Sequence, residues 1–393
     1  MKKLVLFISL LSLSISAFCQ NNNATIKFLK GNISEKTSAV TNASGAEAAA
    51  LSSRAITFVL DTKDILGDDR ELDALAVAAI LSISPDYVKK QSDNEKKYLE
   101  SQLVQMFKKF NTIPNVQITI LSKLGYINDY ISTDNFTVLL NNFLKTSNIH
   151  TVDSGLFDAS LKLLEKIGNN ETFLILYTFL NNENYEKYDS QIKKTISKLV
   201  PASMNEILSL IHNKSESKQI RTLFELVKEN SKISKNNLCE IAENILVESI
   251  LLVGDSSKVT YDDIALQLDA LKILKDNKWT RASSICISYF KYAKELYDIG
   301  SLNESQFKEV INSLSSIAPI ASVTPLTDYL VELNSLKEKG KDVSSEILLA
   351  VINSLGAIGD KSAFDSLLAV TYLNYEESVL AAARKALSGL RWQ

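Results

Sequence analysis

Few side chains in this 393-residue chain have types and spacing that suit chemistry. Its two histidines, His150 and His212, lie 62 residues apart, each beside a turn between helical segments. A metal centre needs His, Cys or carboxylate ligands gathered together, so no metal ligand is assigned. A serine or cysteine nucleophile needs a base within reach, and no Gly-x-Ser-x-Gly elbow occurs. Gly356-Ala357-Ile358-Gly359 has neither a preceding strand nor a following Lys-Ser/Thr, and reads as a helix C-cap instead of a phosphate loop. Asp68-Asp69-Arg70-Glu71 and Asp262-Asp263 fall at helix starts, where carboxylates complement the dipole, without calcium-loop spacing. No catalytic, cofactor-binding or metal residue is expected, and the chain reads as non-enzymatic. An enzyme or enzyme subunit with a site of dispersed carboxylates is the alternative.

The aromatic residues carry more weight. Tyr289-Phe290-Lys291-Tyr292 and Tyr297 crowd one helix, and Tyr185 and Tyr188 flank an Asn-rich turn. A helix that buries only one face leaves Tyr289 and Tyr292 partly exposed. With Tyr185 they are the candidate partner-binding residues, since exposed Tyr is enriched at recognition surfaces. The competing reading packs these rings between adjacent helices with hydroxyls at the rim. Cys239 and Cys286 sit in apolar helical stretches and fit either two buried thiols or one disulfide.

The elements that position these residues begin with Met1-Lys2-Lys3, an apolar run from Leu4 to Phe18 and the polar Gln20-Asn21-Asn22-Asn23. This is the layout of a secretory signal peptide over residues 1–19, with cleavage after Cys19 and export to a bacterial periplasm expected. The rival reading makes Cys19 a lipid-bearing cysteine of an outer-membrane lipoprotein acting in envelope assembly. Phe18 counts against it, because such a cysteine usually follows a small residue. No later apolar run reaches the ~18 residues a membrane helix needs. Without residues 1–19 the chain holds 41 Lys+Arg against 46 Asp+Glu, a formal charge of −5, and no basic cluster suited to nucleic acid.

Residues 20–45 are small and polar and are expected to form a flexible leader, with one short strand at Thr25-Ile26-Lys27-Phe28-Leu29. From Ala46 onward apolar residues recur at helical spacing, as in Leu72, Leu75, Ala76, Ala79, Ile80 and Ile83. Five prolines and twelve glycines in the whole chain agree with an all-α fold. Helix-ending anchors at Leu81, Leu124, Ile167 and Ile211 are spaced 43, 43 and 44 residues apart, and Leu274, Ile317 and Ile358 follow at 43 and 41. The 63-residue step from Ile211 to Leu274 places an irregular insertion near 254–263.

Such a period suits stacked two-helix units. Over residues 345–390 the chain resembles a HEAT repeat, in Leu355-Gly356-Ala357-Ile358-Gly359-Asp360 followed by Ala363-Phe364. In that family an Arg near the start of the second helix meets the turn Asp. Leu380 stands there in this chain and Arg384 comes one turn later, so no Asp360–Arg pairing is expected. The resemblance implies a right-handed α-solenoid of HEAT-like helix pairs over 46–393, with Trp392 folded back over the last helix. It also implies a binding or scaffolding protein of the cell envelope that engages a protein or peptide partner.

Overall fold

A computed structural model describes residues 24–213, 216–251 and 259–391. The expected signal peptide, Cys19, Trp392 and residues 254–258 of the expected insertion lie outside them. The fold is all-α, and among the described residues the single extended pairing is a backbone bridge between Asp360 and Arg391. The chain divides into two compact units between Ala202 and Ser203.

In the first unit a helix over residues 24–30 (α1) leads to α2 (Ile33–Asn42), α3 (Gly45–Leu66), α4 (Arg70–Leu81), α5 (Pro85–Lys90) and α6 (Asp93–Lys109). It continues with α7 (Pro114–Ile127), α8 (Asp134–Thr146), α9 (Ser154–Ile167), α10 (Asn170–Phe179) and α11 (Asp189–Leu199). Helices α2, α4, α7, α9 and α11 pack successively on one another in one layer, and α3 with α6, and α8 with α10, form a second. Pairs α3–α4, α6–α7, α8–α9 and α10–α11 join the layers.

The expected leader is corrected here. Thr25–Leu29 is helical, not a strand, and α2 buries Ala39 and Val40 against α3 and α4. Its polar composition concealed a capping box, in which Asn32 and Glu35 each bond the other's backbone N–H. Ser92 and Glu95 start α6 in the same way.

The second unit holds α12 (Met204–His212), α13 (Ser217–Lys228), α14 (Lys235–Leu251), α15 (Tyr261–Asp276) and α16 (Ser283–Asp298). It ends with α17 (Glu304–Ile317), α18 (Val323–Glu338), α19 (Ser345–Ile358), α20 (Phe364–Val370) and α21 (Glu377–Ser388). Helices α13, α15, α17, α19 and α21 form one layer, while α12, α14 and α16, and then α18 with α20, pack in the other. Ile211 therefore ends a helix of the α14 layer, and Leu274 ends one of the α13 layer. The 63-residue step compared anchors from different layers, and α13, α14 and most of α15 lie within it.

Glycine is required at two places in the last pairs. A Cβ on Gly356 would sit 2.9 Å from Ala386 Cβ, so its absence lets α19 approach α21. Gly359 has φ +72° and ends α19 as a left-handed cap, with its N–H on Leu355 O. Asp360 accepts hydrogen bonds from Ser362, while Arg384 pairs with Glu377.

Leu367 of α20 is fully buried. Leu367→Asp places an unpaired carboxylate in the core and is expected to cost more than about 3 kcal/mol, read as a large fall in thermal midpoint. An unchanged melt would contradict this packing.

Candidate functional site

A cavity of about 710 Å³ in the first unit lies between α6 and α8. Helical spacing sets both walls. Val104, Phe107, Lys108 and Asn111 form one stripe, and Asn135, Val138, Leu139 and Asn142 another, each at intervals of three and four. The opposite side of α8 buries Phe136, Leu140 and Leu144 and so fixes which stripe faces the cavity. Phe107 meets Phe136 edge-to-face, with ring centres 6.3 Å apart.

Most polar groups in this cavity are amides, with the Lys108 ammonium and the Thr146 hydroxyl beside them. Gln117, only 4% exposed, donates Nε2–H to Phe107 O at 3.0 Å, and its Oε1 is buried without a partner. Asn135 donates to the buried Glu100 carboxylate at 3.0 Å. The side chains of Asn111 and Asn142 are exposed. Val138 is 54% exposed, a large apolar side chain offered to solvent beside them. A buried acceptor without a donor costs ~1–3 kcal/mol. The arrangement suits a ligand that brings an N–H or O–H to Gln117 and apolar groups to Val138 and Leu139.

A satisfied network holds the wall in place. Asn141, fully buried on α8, donates to Asn169 Oδ1 at 3.2 Å and Glu171 Oε2 at 3.1 Å, and accepts from Thr172 Oγ1 at 2.7 Å. These groups begin α10, so α8 is tied to it by three bonds. Lys145 and Asn141 together hold the Glu171 carboxyl below the usual range.

The tyrosines fall elsewhere. Tyr289 is fully buried with its hydroxyl donating to Gln267 Oε1 at 3.1 Å, and Tyr292 is buried beside it, ring centres 6.2 Å apart. The expected exposure of both is thus corrected: α16 packs on α14 within its layer and on α17 across it, so more than one face is covered. Burial pushes both hydroxyls well above the ordinary tyrosine range. Tyr185 is half-buried and stacks on Phe179 at 3.9 Å, beside Phe157 and Tyr188. Tyr185 belongs to the first unit, and Tyr289 and Tyr292 belong to the second.

His150 lies in an exposed turn, and His212 Nδ1 is 2.6 Å from Glu248 Oε1. Among the described residues no group of three His, Cys, Asp or Glu side chains stands close enough to hold a metal ion. Cys239 and Cys286 are buried free thiols.

The residues of the α6–α8 cavity match no chemical motif and were not singled out in the sequence. The available signal was a second apolar pair, Val138-Leu139, set between asparagines on the same helix. No family model matches the chain, and no characterised protein matches it either.

Two measurements follow. Tyr292→Ala is expected to lower stability by about 3 kcal/mol or more, as removal of a buried aromatic ring does; a loss within ~1 kcal/mol would return it to the surface. Burial pushes the Cys286 thiol up to about 12, and Cys239 is raised too, so both remain protonated at pH 8. A disulfide reagent should leave both unlabelled in the folded chain and label both in denaturant, with the sites mapped by mass spectrometry.

Proposed function

We propose that the chain is an exported, non-catalytic binding or scaffolding protein of the cell envelope that engages an extended peptide segment of its partner along the α6–α8 cavity. The scaffold is a right-handed α-solenoid of HEAT-like helix pairs. Support for it comes from the HEAT-like residues 345–390 and from the packing of alternate helices within each unit. Support for export comes from the charged start, apolar run and polar boundary of residues 1–20, with the periplasm as destination and Gln20 as first mature residue.

The observation that carries the binding site is the buried, unpartnered Oε1 of Gln117 at the cavity. An extended peptide repeats the complementary chemistry at every residue, a main-chain N–H for that oxygen and side chains for the apolar stripe. Asn111 and Asn142 can each donate and accept, as a peptide group does.

A random peptide library selected on the purified protein tests this. Selected peptides should bind, and Asn111→Ala with Asn142→Ala should weaken them about tenfold, roughly 1.4 kcal/mol, with the thermal midpoint unchanged. No selected peptide, or affinity indifferent to these substitutions, would refute the site. Mass spectrometry of the native N-terminus tests export separately: Gln20 at the start supports the free periplasmic form, and lipid on Cys19 replaces it with the anchored one.

A further inference from the structure

A second cavity of the first unit, about 280 Å³, is bounded by α3, α5 and α6. Its size is that of a small ligand site. Ala49, Ile56 and Leu99 are buried and give it an apolar lining, while Tyr87 and Tyr98 are both exposed at its edge. Side chains of this kind receive a compact apolar or aromatic group.

Charge is placed at separate points around that lining. Arg54 of α3 is exposed and makes no ion pair or side-chain hydrogen bond among the described residues. Glu95 of α6 accepts from Ser92 N at 2.8 Å and Ser92 Oγ at 2.6 Å, both on Oε2, which leaves Oε1 for another donor. Those bonds keep its carboxyl below the usual range, and therefore charged. Arg54 and Glu95 line one cavity but do not pair with each other, although the attraction between opposite charges favours it.

Two glutamines add acceptors. Gln91 Oε1 is buried and has no partner, an arrangement that is costly until a donor arrives. Gln102, almost wholly buried, commits Nε2 to Thr57 Oγ1 at 3.0 Å and keeps its oxygen for the cavity. One cation and a surplus of acceptors, with an apolar lining, call for a ligand with a carboxylate, several N–H groups and an apolar body.

We propose that this cavity binds the zwitterionic backbone of an α-amino acid or short peptide, carboxylate on Arg54, ammonium on Glu95, and apolar or aromatic side chain against Tyr87 and Tyr98. Gln91 Oε1 takes one further N–H. The site is independent of the α6–α8 cavity. Arginine suits the carboxylate because its planar guanidinium offers paired donors.

Calorimetric titration of the folded chain with L-phenylalanine, Gly-Phe and Gly-Gly-Phe tests it, each probe also as its N-acetyl and carboxamide forms. At least one zwitterion should bind, and either block should weaken it tenfold or more. The length that binds best tells a free amino acid from a peptide. Arg54→Met should abolish the preference for carboxylate over carboxamide, and Glu95→Gln the preference for free over acetylated amine. Gln at this position retains the helix cap, so Glu95→Gln should fold and melt as the parent does. Asn111→Ala with Asn142→Ala should leave these affinities unchanged, which separates this site from the peptide groove. Failure of all three zwitterions to bind, equal binding of blocked forms, or affinity untouched by both charge substitutions would overturn the proposal.

Discussion

The packing of each helix on the next member of its own layer is the interaction on which the rest of the structure depends. A single amphipathic helix of ten to fifteen residues is marginal in water. In each unit the apolar stripe is covered on both sides, by the layer neighbour and by the paired helix across the layers. A fully buried Leu or Ile contributes about 1.5–3 kcal/mol, and these residues recur in every long helix. Apolar contact alone leaves the register of neighbouring helices loosely set. Polar links then fix it: Lys123 of α7 donates to Leu81 O and Ile83 O at 2.8 and 2.9 Å, and Lys166 of α9 to Gly125 O at 2.5 Å. In the second unit Ser354 of α19 donates to Ile311 O of α17. Each link joins a side chain to a carbonyl of the preceding layer neighbour, some of them among the groups a helix end leaves unsatisfied.

That constraint explains where binding capacity remains. Atoms between the layers are claimed by packing, so an unclaimed polar atom there has a cost without return. Gln117 and Gln91 are such cases, each with an oxygen left over and each at a cavity formed with layer neighbours. The Asn141 network shows the contrast, because every part of that amide has a partner and the result is a fixed joint between α8 and α10. Adjacent segments of one helix thus do different things. Asn141 ties α8 down, and Asn142, next in sequence and on another face, is presented to the cavity.

Much of the architecture was legible in the chain, because helical periodicity and capping are local. The helical spacing of Leu72, Leu75, Ala76, Ala79 and Ile80 appears as α4, Arg70–Leu81, with all five buried. The leader failed for a local reason as well: Asn32 and Glu35 form a cap that composition alone does not reveal. The anchor at Ile211 failed for a tertiary reason. Within the second unit it lies in the layer of α12 and α14, whereas Leu274, Ile317 and Ile358 lie in that of α13, α15, α17 and α19. The expected exposure of Tyr289 and Tyr292 failed because it was inferred from a one-faced helix, whereas α16 meets neighbours on two sides.

This last failure bears on how sites should be sought in stacked helical chains. Clustered aromatics are the strongest apolar signal a helix can carry, and a two-layer stack places its strongest apolar residues where coverage is greatest. Phe290 illustrates it, stacked on Phe307 at 5.9 Å and edge-on to Tyr329, with nothing left for a partner. The proposed recognition residues lie on the margins of the stripe instead, where a moderate side chain such as Val138 sits beside amides that the stack does not consume. Arg54 obeys the same logic. It follows the buried stripe of α3 around to the exposed side, where its charge has no internal use and its proximity to Glu95 has not been spent on an ion pair.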